Sequence, residues 1–488
     1  MNFKITAAVA AALACSAPAF ALDVAGTNGA TVQLTAAGAS AQRDAFLVMM
    51  INTICQPGTF DMYRASPTVG QDFRAYSCRI TNDGTAYGAA ANQTATVYYR
   101  SEGGSALGIV PIATNTPVMR LAVDAACSNT ATATIAGAVS SYSIHDCVLP
   151  AANNYVLVGT TAANADVSST TDPHFVKDTV DLGIADVEPK LFAGVNFPSS
   201  HVFDGFPAAQ RQPAMTALNA LAQVGFGQVF GVIVNNTAAG QIGNNNTGTT
   251  ASPFNGQGDN FGTPRPVLSK QSLAAIFRGT YTNWNQVPTI TGGRVSSTPL
   301  TIRVCRREPG SGTQVAANQY FLGTNQCSPP APQGNFRTDN TDADDLNFVA
   351  DTNGVIERGT GGDLNTCVAG LAGGIGITVA NAAPGGVSYV AINGSEPTRN
   401  AAAIGNYDYW FEQTFVVNPN LAAGAVVDLA NGLIKEASNA NSAPNALSVV
   451  SLPNETNDPT TQGPFVSTKP PIAFGIRGGN SCVSSSAL

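Results

Sequence analysis

Charged residues are scarce in this 488-residue chain, at 11% of the total, and there are only three histidines and two tryptophans. The net charge is −8, which excludes the basic excess that nucleic acids and anionic membrane surfaces select. Beyond the N-terminal segment no apolar run approaches the length that spans a bilayer, so we expect neither a nucleic-acid partner nor membrane insertion. Because 44% of the residues are hydrophobic, the chain can still bury a core, and its length predicts two or three domains.

The sequence motifs of common enzymes are also missing. The histidines, His145, His174 and His201, have no HExxH or other metal-ligand spacing, and no two cysteines are spaced as CxxC. Neither a GxSxG elbow nor a GxxxxGK[ST] loop occurs. We therefore expect a protein with no metal, no cofactor and no enzymatic activity, and a secreted phosphatase is the enzyme alternative. His145, in "HDC", is interpreted as an exposed histidine beside a disulfide.

The N-terminal segment 1–21 has the pattern of a secretory signal. Lys4 supplies the positive start, "ITAAVAAALA" the short apolar core, and "AFA" the small-residue cleavage site. Cys15 suggests a lipoprotein as an alternative, but Ala12 stands where such proteins usually have a bulky residue. We expect an exported protein, periplasmic or secreted, that begins at Leu22.

Nine cysteines are present, and removal of the signal segment with Cys15 leaves eight, an even number in an oxidising compartment. Four disulfides are therefore predicted, although spacing alone does not determine their connectivity. Pairing of sequence neighbours suggests three of them, and the remaining two cysteines then form the fourth. The suggested pairs are Cys55 with Cys78, Cys127 with Cys147, Cys305 with Cys327, and Cys367 with Cys482.

Short apolar strands alternate with helical patterns along the chain, which is the rhythm of an α/β fold. The predicted strands include "TVQLTAAG", "VFGVIVNN" and "PLTIRVCRR", and the predicted helices include "DAFLVMMINTI", the Ser-capped "SKQSLAAIFRG", and "GTQVAANQYFLG". Two stretches have the composition of insertions. They are the Ala-, Thr-, Ser- and Asn-rich residues near 111–178 and the long surface loop 237–264.

One turn combines features of an anion site. In "RREPGSGTQ", residues 306–314, a buried strand ends in arginines and a Gly/Ser/Thr turn opens a helix. Helix starts leave backbone N–H groups unpaired, and Arg307 adds a two-pronged permanent charge. A capped helix with a surface arginine is the alternative interpretation. Three further strand ends have related chemistry: "TAAGAS" (35–40), "SEGGSALG" (101–108) and "VDLGIAD" (180–186).

Taken in order, these four segments resemble the periplasmic phosphate-binding proteins of ABC transporters (PstS-like). In that family a TGAGAT(F) turn, a Gly-Ser turn, a VDFGASD strand end and an RSDGSGT turn surround one phosphate. The segments "LSKQSLAAIFRGTYTNWNQV", "AGGIGI" (372–377), "YDYWFEQTFVVN" and "VVDLANGLIKEA" also resemble the family. The resemblance covers most of residues 33–452 and leaves the two insertions outside.

The resemblance implies a set of phosphate-binding residues. Asp186 stands at the family's acceptor carboxylate, which would take the phosphate proton and reject sulfate. At the second turn the resemblance implies Ser105 as the hydroxyl, although strict alignment places Gly104 at that position. The aspartate that steadies the arginine is replaced by Pro309, and Glu308 or another carboxylate is left to take its role. The implied residues are Ser40, Ala41, Gly104, Ser105, Asp186, Arg307, Ser311, Gly312 and Thr313.

The resemblance also implies the architecture, a two-lobed α/β periplasmic-binding-protein fold, type II-like, with crossing hinge strands. Lobe I is predicted over 22–228 plus 377–488, and lobe II over 229–376. The aromatic side chains, including Trp284 and Trp410, are expected in the core rather than at the ligand. The implied function is capture of inorganic phosphate for an ABC permease. A secreted or surface interaction protein without a permease is the alternative, favoured by the two long insertions.

Overall fold

The structure is a computed structural model. It describes residues 24–65, 73–101, 103–127, 129–147, 175–197, 206–236, 238, 266–290, 292–323, 355–358, 361–380, 385–439, 448–453, 470–478, 480–482 and 486–487. The predicted signal segment 1–21 and nearly all of the predicted loop 237–264 lie outside the described residues. So do His174, His201 and Cys327.

Ten helices are described, and several begin where the sequence places a capping residue. The predicted Ser269 cap is confirmed, because its side chain accepts a hydrogen bond from the backbone N–H of Ser272 at 3.0 Å. The helices are α1 (Val24–Asn28), α2 (Arg43–Met49), α3 (Gly84–Tyr87), α4 (Gly104–Thr114), α5 (Ala208–Asn219), α6 (Lys270–Phe277), α7 (Gly312–Ala317), α8 (Gly361–Gly370), α9 (Arg399–Ala403) and α10 (Ala425–Ser438). Both α2 and α7 continue as π-helical turns, Met50–Ile54 and Asn318–Leu322.

Twenty strands are described. The first ten are β1 (Val32–Gly38), β2 (Asp61–Arg64), β3 (Phe73–Arg79), β4 (Thr94–Arg100), β5 (Val118–Leu121), β6 (Asn129–Ala133), β7 (Tyr142–Asp146), β8 (Phe175–Asp178), β9 (Leu182–Ala185) and β10 (Gln223–Asn235). The others are β11 (Val267–Leu268), β12 (Arg303–Arg307), β13 (Val355–Arg358), β14 (Gly374–Val379), β15 (Val387–Tyr389), β16 (Ala391–Ile392), β17 (Trp410–Val417), β18 (Val449–Val450), β19 (Gly475–Ile476) and β20 (Ser486–Ala487).

Fourteen strands form one mixed sheet that extends through both parts of the molecule. Its order is β13-β12-β14-β10-β17-β9-β1-β4-β3-β2-β7-β6, and β15 and β18 also pair with β10. Strand β10 is the crossing element, since residues 223–229 pair with β17 whereas residues 230–235 pair with β14 or β15. We call the part from β17 to β6 the first lobe and the part from β13 to β14, with β15, the second lobe.

Strand pairing places the return to the first lobe late in the chain. Strand β15 follows the predicted boundary at residue 377, yet it still pairs with the second-lobe end of β10. Only β17 brings the chain back, because it pairs with both β10 and β9. The strand that contains residue 377 is β14, which pairs with β12 and β10. The lobe boundary at residue 377 stays a prediction.

The predicted insertion near 111–178 is in part regular structure. Its first residues complete α4, and β6 and β7 extend the first-lobe sheet, with β7 parallel to β2. His145 on β7 is therefore not exposed as expected: 16% of its side chain is accessible, and its ring stacks on Tyr63 at 4.5 Å. The Thr-rich composition of this stretch is that of strands at a sheet edge.

Large apolar side chains are buried on both faces of the sheet. Trp284 and Trp410 are 0% and 2% exposed, which confirms that both belong to the core. The indole N–H of Trp284 donates to the carbonyl of Gly373 at 3.1 Å, so its polar atom is satisfied. None of the described helices has the length and apolar character of a membrane span.

The disulfides agree with the predicted pairing in two cases and differ in the third. Cys55–Cys78 and Cys127–Cys147 are formed as predicted. Cys305, however, is bonded to Cys367, so the pairs Cys305 with Cys327 and Cys367 with Cys482 are wrong. The reason is packing: α8 crosses over β12 and places Cys367 against the strand that carries Cys305, although 62 residues separate them. Cys482 is disulfide-bonded as well.

Candidate functional site

Three of the predicted turns meet at one edge of the first lobe. Strands β4, β1 and β9 are parallel neighbours, so their carboxyl ends lie side by side. The residues that follow them are Ser40 after β1, Gly104 after β4 and Asp186 after β9. Carboxyl ends of parallel strands are the usual place for a ligand in α/β folds.

The fourth turn, from the second lobe, packs directly against these ends. The backbone N–H of Ala106 donates to the carbonyl of Gly310 at 2.9 Å, joining the two lobes. Gly104 has φ +65, and a Cβ there would lie 2.9 Å from Cα of Ser311. Only glycine allows both this left-handed conformation and this approach. Gly104 therefore contributes a close backbone contact, which explains why the hydroxyl stands one position later.

Gly312, at the start of α7, lies against the first-lobe residues. A Cβ at this position would be 2.1 Å from Oγ of Ser105 and 2.8 Å from Oδ2 of Asp186. The backbone at the beginning of α7 is thus within contact of the predicted hydroxyl and the predicted carboxylate. Residues that are more than 120 positions apart in sequence converge at this point.

Asp186 is buried at the centre of this contact, with 2% of the residue exposed. Its backbone N–H donates to Oγ of Ser105 at 3.0 Å, and the hydroxyl of Thr313 donates to its Oδ2 at 3.4 Å. Burial raises the pKa of the Asp186 carboxyl to about 7, against a lowering by the Arg307 charge and the hydroxyls of Thr313 and Ser105. The carboxyl can therefore accept or release a proton near neutral pH.

Arg307 ends β12 and is also buried, with 3% exposed. Its guanidinium makes a forked pair with Glu308, with Nη2 to Oε1 at 3.0 Å and Nε to Oε2 at 3.4 Å. Glu308 is thus the carboxylate that steadies the arginine, the role the sequence left open. Burial raises the pKa of Glu308, and the Arg307 charge opposes that shift. The pair holds the guanidinium in a fixed orientation.

Comparisons with known proteins identify the family of the chain. A family model described as a PBP superfamily domain matches residues 230–473, half of the chain. The chain belongs to the PBP superfamily. As a member, it has the two-lobed α/β fold that the sequence motifs predicted. No curated protein matches it.

Several solved structures are similar to this PBP-superfamily chain. One is a high affinity periplasmic phosphate-binding protein, PfluDING, solved with phosphate, at 12% identity and TM-score 0.43, covering 89% of this chain and 94% of that one. Another is a phosphate-binding protein from Stenotrophomonas maltophilia, at 11% identity and TM-score 0.37, covering 84% of each chain. A third is an ABC-type phosphate transport receptor from Vibrio cholerae, at 14% identity and TM-score 0.29, covering 53% and 78%. These likenesses are too distant to carry a functional argument.

The remaining predicted site residues lie on the same turns. Ser40 and Ala41 belong to a short 3-10 turn, Ser40–Gln42, directly after β1. Ser311 is the residue before α7 and is 1% exposed. All nine predicted residues therefore lie on the four turns, and contacts between the lobes are made by the turns that carry Gly104, Asp186 and Gly312.

One residue of the site escaped sequence reasoning. Gln413 is fully buried on β17, and its amide nitrogen lies 3.1 Å from Oδ1 of Asp186 in the orientation that satisfies both groups. Its neighbour Gln42 donates from Nε2 to the carbonyl of Ala185 at 3.0 Å. A glutamine within the apolar strand "WFEQTFVV" was the available signal, because a buried amide needs partners.

The chemical character of the site is a set of donors around one acceptor. Hydroxyls, helix-start N–H groups and one arginine suit the oxygens of a small oxyanion, and a carboxyl with a pKa near 7 suits a protonated one. Among the described residues, no group of three or more histidines, cysteines and carboxylates could hold a metal ion.

Proposed function

We propose that this exported protein captures inorganic phosphate between its two lobes without chemical conversion. The observation that carries the proposal is the position of Asp186: it is buried, its carboxyl accepts from the Thr313 hydroxyl of the second lobe, and its backbone N–H donates to the Ser105 hydroxyl of the first. A site for charge alone would exclude a carboxylate, whereas a site for a protonated oxyanion requires an acceptor.

The proposed roles follow from the position of each group. Arg307 neutralises the anion, and Glu308 orients its guanidinium. Ser105 and Thr313 offer hydroxyls beside Asp186, which accepts the phosphate proton. The remaining contacts are backbone N–H groups and hydroxyls at three turn–helix starts. They come from Ser40, Ala41, Gly104, Ser311 and Gly312.

The same arrangement would discriminate between tetrahedral anions. Phosphate near neutral pH retains a proton that a carboxylate can accept, whereas sulfate carries none. Against sulfate, Asp186 would meet only lone pairs, so the buried carboxylate would have no hydrogen-bond donor. Sulfate binding would therefore be weaker than phosphate binding. We therefore infer that phosphate is preferred.

Two further parts of the proposal concern the cellular role. We propose a periplasmic or secreted location, supported by the predicted signal segment 1–21 and by the disulfides of the described chain. We also propose delivery to an ABC permease, supported by the resemblance of the four turns to transporter subunits. Stimulation of ATP hydrolysis by a reconstituted phosphate permease is the test of delivery, and no stimulation favours a scavenging or interaction protein.

Calorimetry on protein stripped of ligand by unfolding and refolding tests the binding proposal. We expect phosphate to bind one to one, and arsenate to compete. No heat with phosphate, arsenate or any other tetrahedral oxyanion contradicts the proposal. A parallel assay with a phosphate monoester, with and without divalent metal ions, distinguishes the receptor from the phosphatase alternative, since turnover would identify an enzyme.

A further inference from the structure

A chain of buried side-chain amides runs away from the proposed anion site. The backbone N–H of Arg307 donates to Oε1 of Gln314 at 3.0 Å, and Nε2 of Gln314 donates to Oδ1 of Asn318 at 3.1 Å. Nδ2 of Asn318 then donates to Oδ1 of Asn196 at 2.8 Å. Finally Nδ2 of Asn196 donates to the carbonyl of Leu191 at 3.1 Å. Four hydrogen bonds therefore connect Arg307 to Leu191.

The direction of these bonds is consistent along the chain. Each of the three amides accepts through its oxygen from the preceding residue and donates through its nitrogen to the next. Gln314, Asn318 and Asn196 are 5%, 1% and 2% exposed. Buried amides are costly without partners, so a continuous chain of this kind specifies one arrangement of the residues that form it.

The third bond of the chain crosses between the lobes. Gln314 lies on α7 and Asn318 directly after it, in the second lobe. Asn196 closes the short turn Gly194–Asn196, which follows β9 in the first lobe. Asn318 and Asn196 are the two ends of a side-chain bond between lobes, and this bond lies outside the set of residues assigned to the anion.

We propose that Asn318 and Asn196 form a latch that holds the lobes closed and so sets the rate of phosphate release. This inference rests on the proposed function, because the latch acts on the same cleft. The two asparagines are positioning residues, since hydrogen bonds through Gln314 connect them to the backbone N–H of Arg307 and not to the proposed anion itself. When the lobes separate, the 2.8 Å bond breaks and water solvates both amides.

The expected size of the effect follows from the bond itself. A neutral intramolecular hydrogen bond contributes about 0.5–1.5 kcal/mol net, which corresponds to roughly a 2- to 13-fold change in an equilibrium constant. Because the bond exists only when the lobes are closed, its loss should appear in dissociation. Association begins from the open form, and loss of the bond only raises the fraction of ligand-free protein that is open, so the association rate should rise less than the dissociation rate.

A double-mutant cycle measured by stopped-flow with inorganic phosphate tests the latch. Asn196→Ala, Asn318→Ala and the double variant should each raise the phosphate dissociation rate about 2- to 13-fold. The double variant should be no faster than the faster single variant, because either single variant already removes the one bond that joins the lobes, between Asn318 and Asn196. Unchanged dissociation rates, or effects that multiply in the double variant, overturn the proposal. If Asn318→Ala does not fold, Asn318→Leu removes the amide while keeping its volume.

The control is Asn418, a buried asparagine whose Nδ2 donates to the carbonyl of Val180 at 2.8 Å within the first lobe. Asn418→Ala should lower the melting temperature and leave phosphate dissociation unchanged. Small-angle scattering of ligand-free protein separates failure of the latch from failure of the proposed function. If the wild type binds no phosphate, the latch still predicts a larger radius of gyration for the double variant than for the wild type, and equal radii overturn it.

Discussion

The two ends of strand β9 carry the same chemical group in similar burial. Asp181 precedes the strand and Asp186 follows it, and they are 9% and 2% exposed. Burial raises the pKa of Asp181 to about 6 and that of Asp186 to about 7. Judged by burial and pKa alone, both would be candidates for a functional carboxyl.

Their partners distinguish them. Asp181 accepts from the backbone N–H of Thr35 on the neighbouring strand at 2.8 Å, and the charges near it, Asp178 and Arg120, also belong to the first lobe. Asp186 instead meets Thr313 from the second lobe and Ser105 from the first. A buried carboxyl whose partners all lie in one lobe stabilises the fold of that lobe. A buried carboxyl with partners in both lobes lies where a ligand can bind between them.

The largest expected difference between the two carboxyls is in anion selectivity. Wild-type protein should prefer phosphate to sulfate on the scale of 10⁴-fold, the range that unpaired buried polar groups produce. Asp186→Asn should narrow this preference, because an amide donates to sulfate as well as accepting from phosphate. Asp181→Asn, the matched control, should leave the ratio unchanged. Competition binding with both anions measures it, and equal ratios for wild type and Asp186→Asn would show that Asp186 is not the proton acceptor.

The next effect concerns the Arg307 charge, which acts on Asp186 but not on Asp181. Arg307→Ala should weaken phosphate binding by up to about 5 kcal/mol, because a buried charge-assisted contact loses one partner. It should also raise the pKa of Asp186, since the Arg307 charge lowers it, and leave that of Asp181 unchanged. Calorimetry gives the affinity. The control is Arg278→Ala, which removes an exposed arginine after α6 in the 266–290 segment.

Retained wild-type affinity in Arg307→Ala would show that "RREPGSGTQ" is only a capped helix. A comparable loss in Arg278→Ala would show a long-range charge effect instead. Carboxyl-carbon chemical shifts followed through a titration give the two aspartate pKa values directly.

Much of this site was predictable because its chemistry is local. Each turn is a strand end with Gly, Ser or Thr and a helix start, so the motif itself encodes the exposed N–H groups and hydroxyls. Asp186 and Arg307 were predicted because they close such strands. The resemblance to a known family supplied their order and their meeting, which no single motif contains.

The features that sequence reasoning missed depend on tertiary packing. Gln413 reaches Asp186 from β17, which joins the site only through the crossing topology of the sheet. Asn196 meets Asn318 only because the lobes close. Cys305 bonds to Cys367 because α8 crosses β12, and spacing favoured a nearer cysteine. Partners brought together by folding leave no periodic pattern in the chain.

The two carboxyls should also differ in how they make the stability of the protein depend on pH. The folded protein retains the Asp186 proton up to a pH of about 7, whereas the unfolded chain releases it near 3.8. Between these values the folded state binds more protons, so the stability from this group is complete below about pH 3.8 and is lost as the pH rises through 7. The loss is up to about 4 kcal/mol at 1.36 kcal/mol per pKa unit. Asp186→Asn should remove this pH dependence.

Urea unfolding from pH 4 to 8 in phosphate-free buffer measures the free energy of unfolding of the wild type and of Asp186→Asn at each pH. Phosphate must be absent because a ligand of the folded state adds stability of its own. For Asp181→Asn, the difference in the free energy of unfolding from wild type should change with pH in the same direction. The change should be smaller and centred nearer pH 6, since the pKa of Asp181 is raised less. A variant curve parallel to that of the wild type over the whole range would mean that Asp186 is ionised in the folded protein.

The smallest effects separate structure from binding at the level of single hydroxyls. At the first end of β9, the Thr35 hydroxyl donates to Oδ2 of Asp178 at 2.9 Å, and at the other end the Thr313 hydroxyl donates to Asp186 at 3.4 Å. Thr→Val keeps the shape of the side chain and removes one donor, which costs about 1 kcal/mol. Thr35→Val should therefore lower the free energy of unfolding by about that amount and leave phosphate affinity unchanged. Thr313→Val should weaken phosphate binding and change ligand-free stability less, because its 3.4 Å bond to Asp186 is long and the hydroxyl is assigned to the anion. Urea unfolding measures the stability of both variants, and calorimetry measures their phosphate affinity. If Thr35→Val weakened phosphate binding and Thr313→Val did not, the assignment of Asp186 as the binding carboxyl would be wrong.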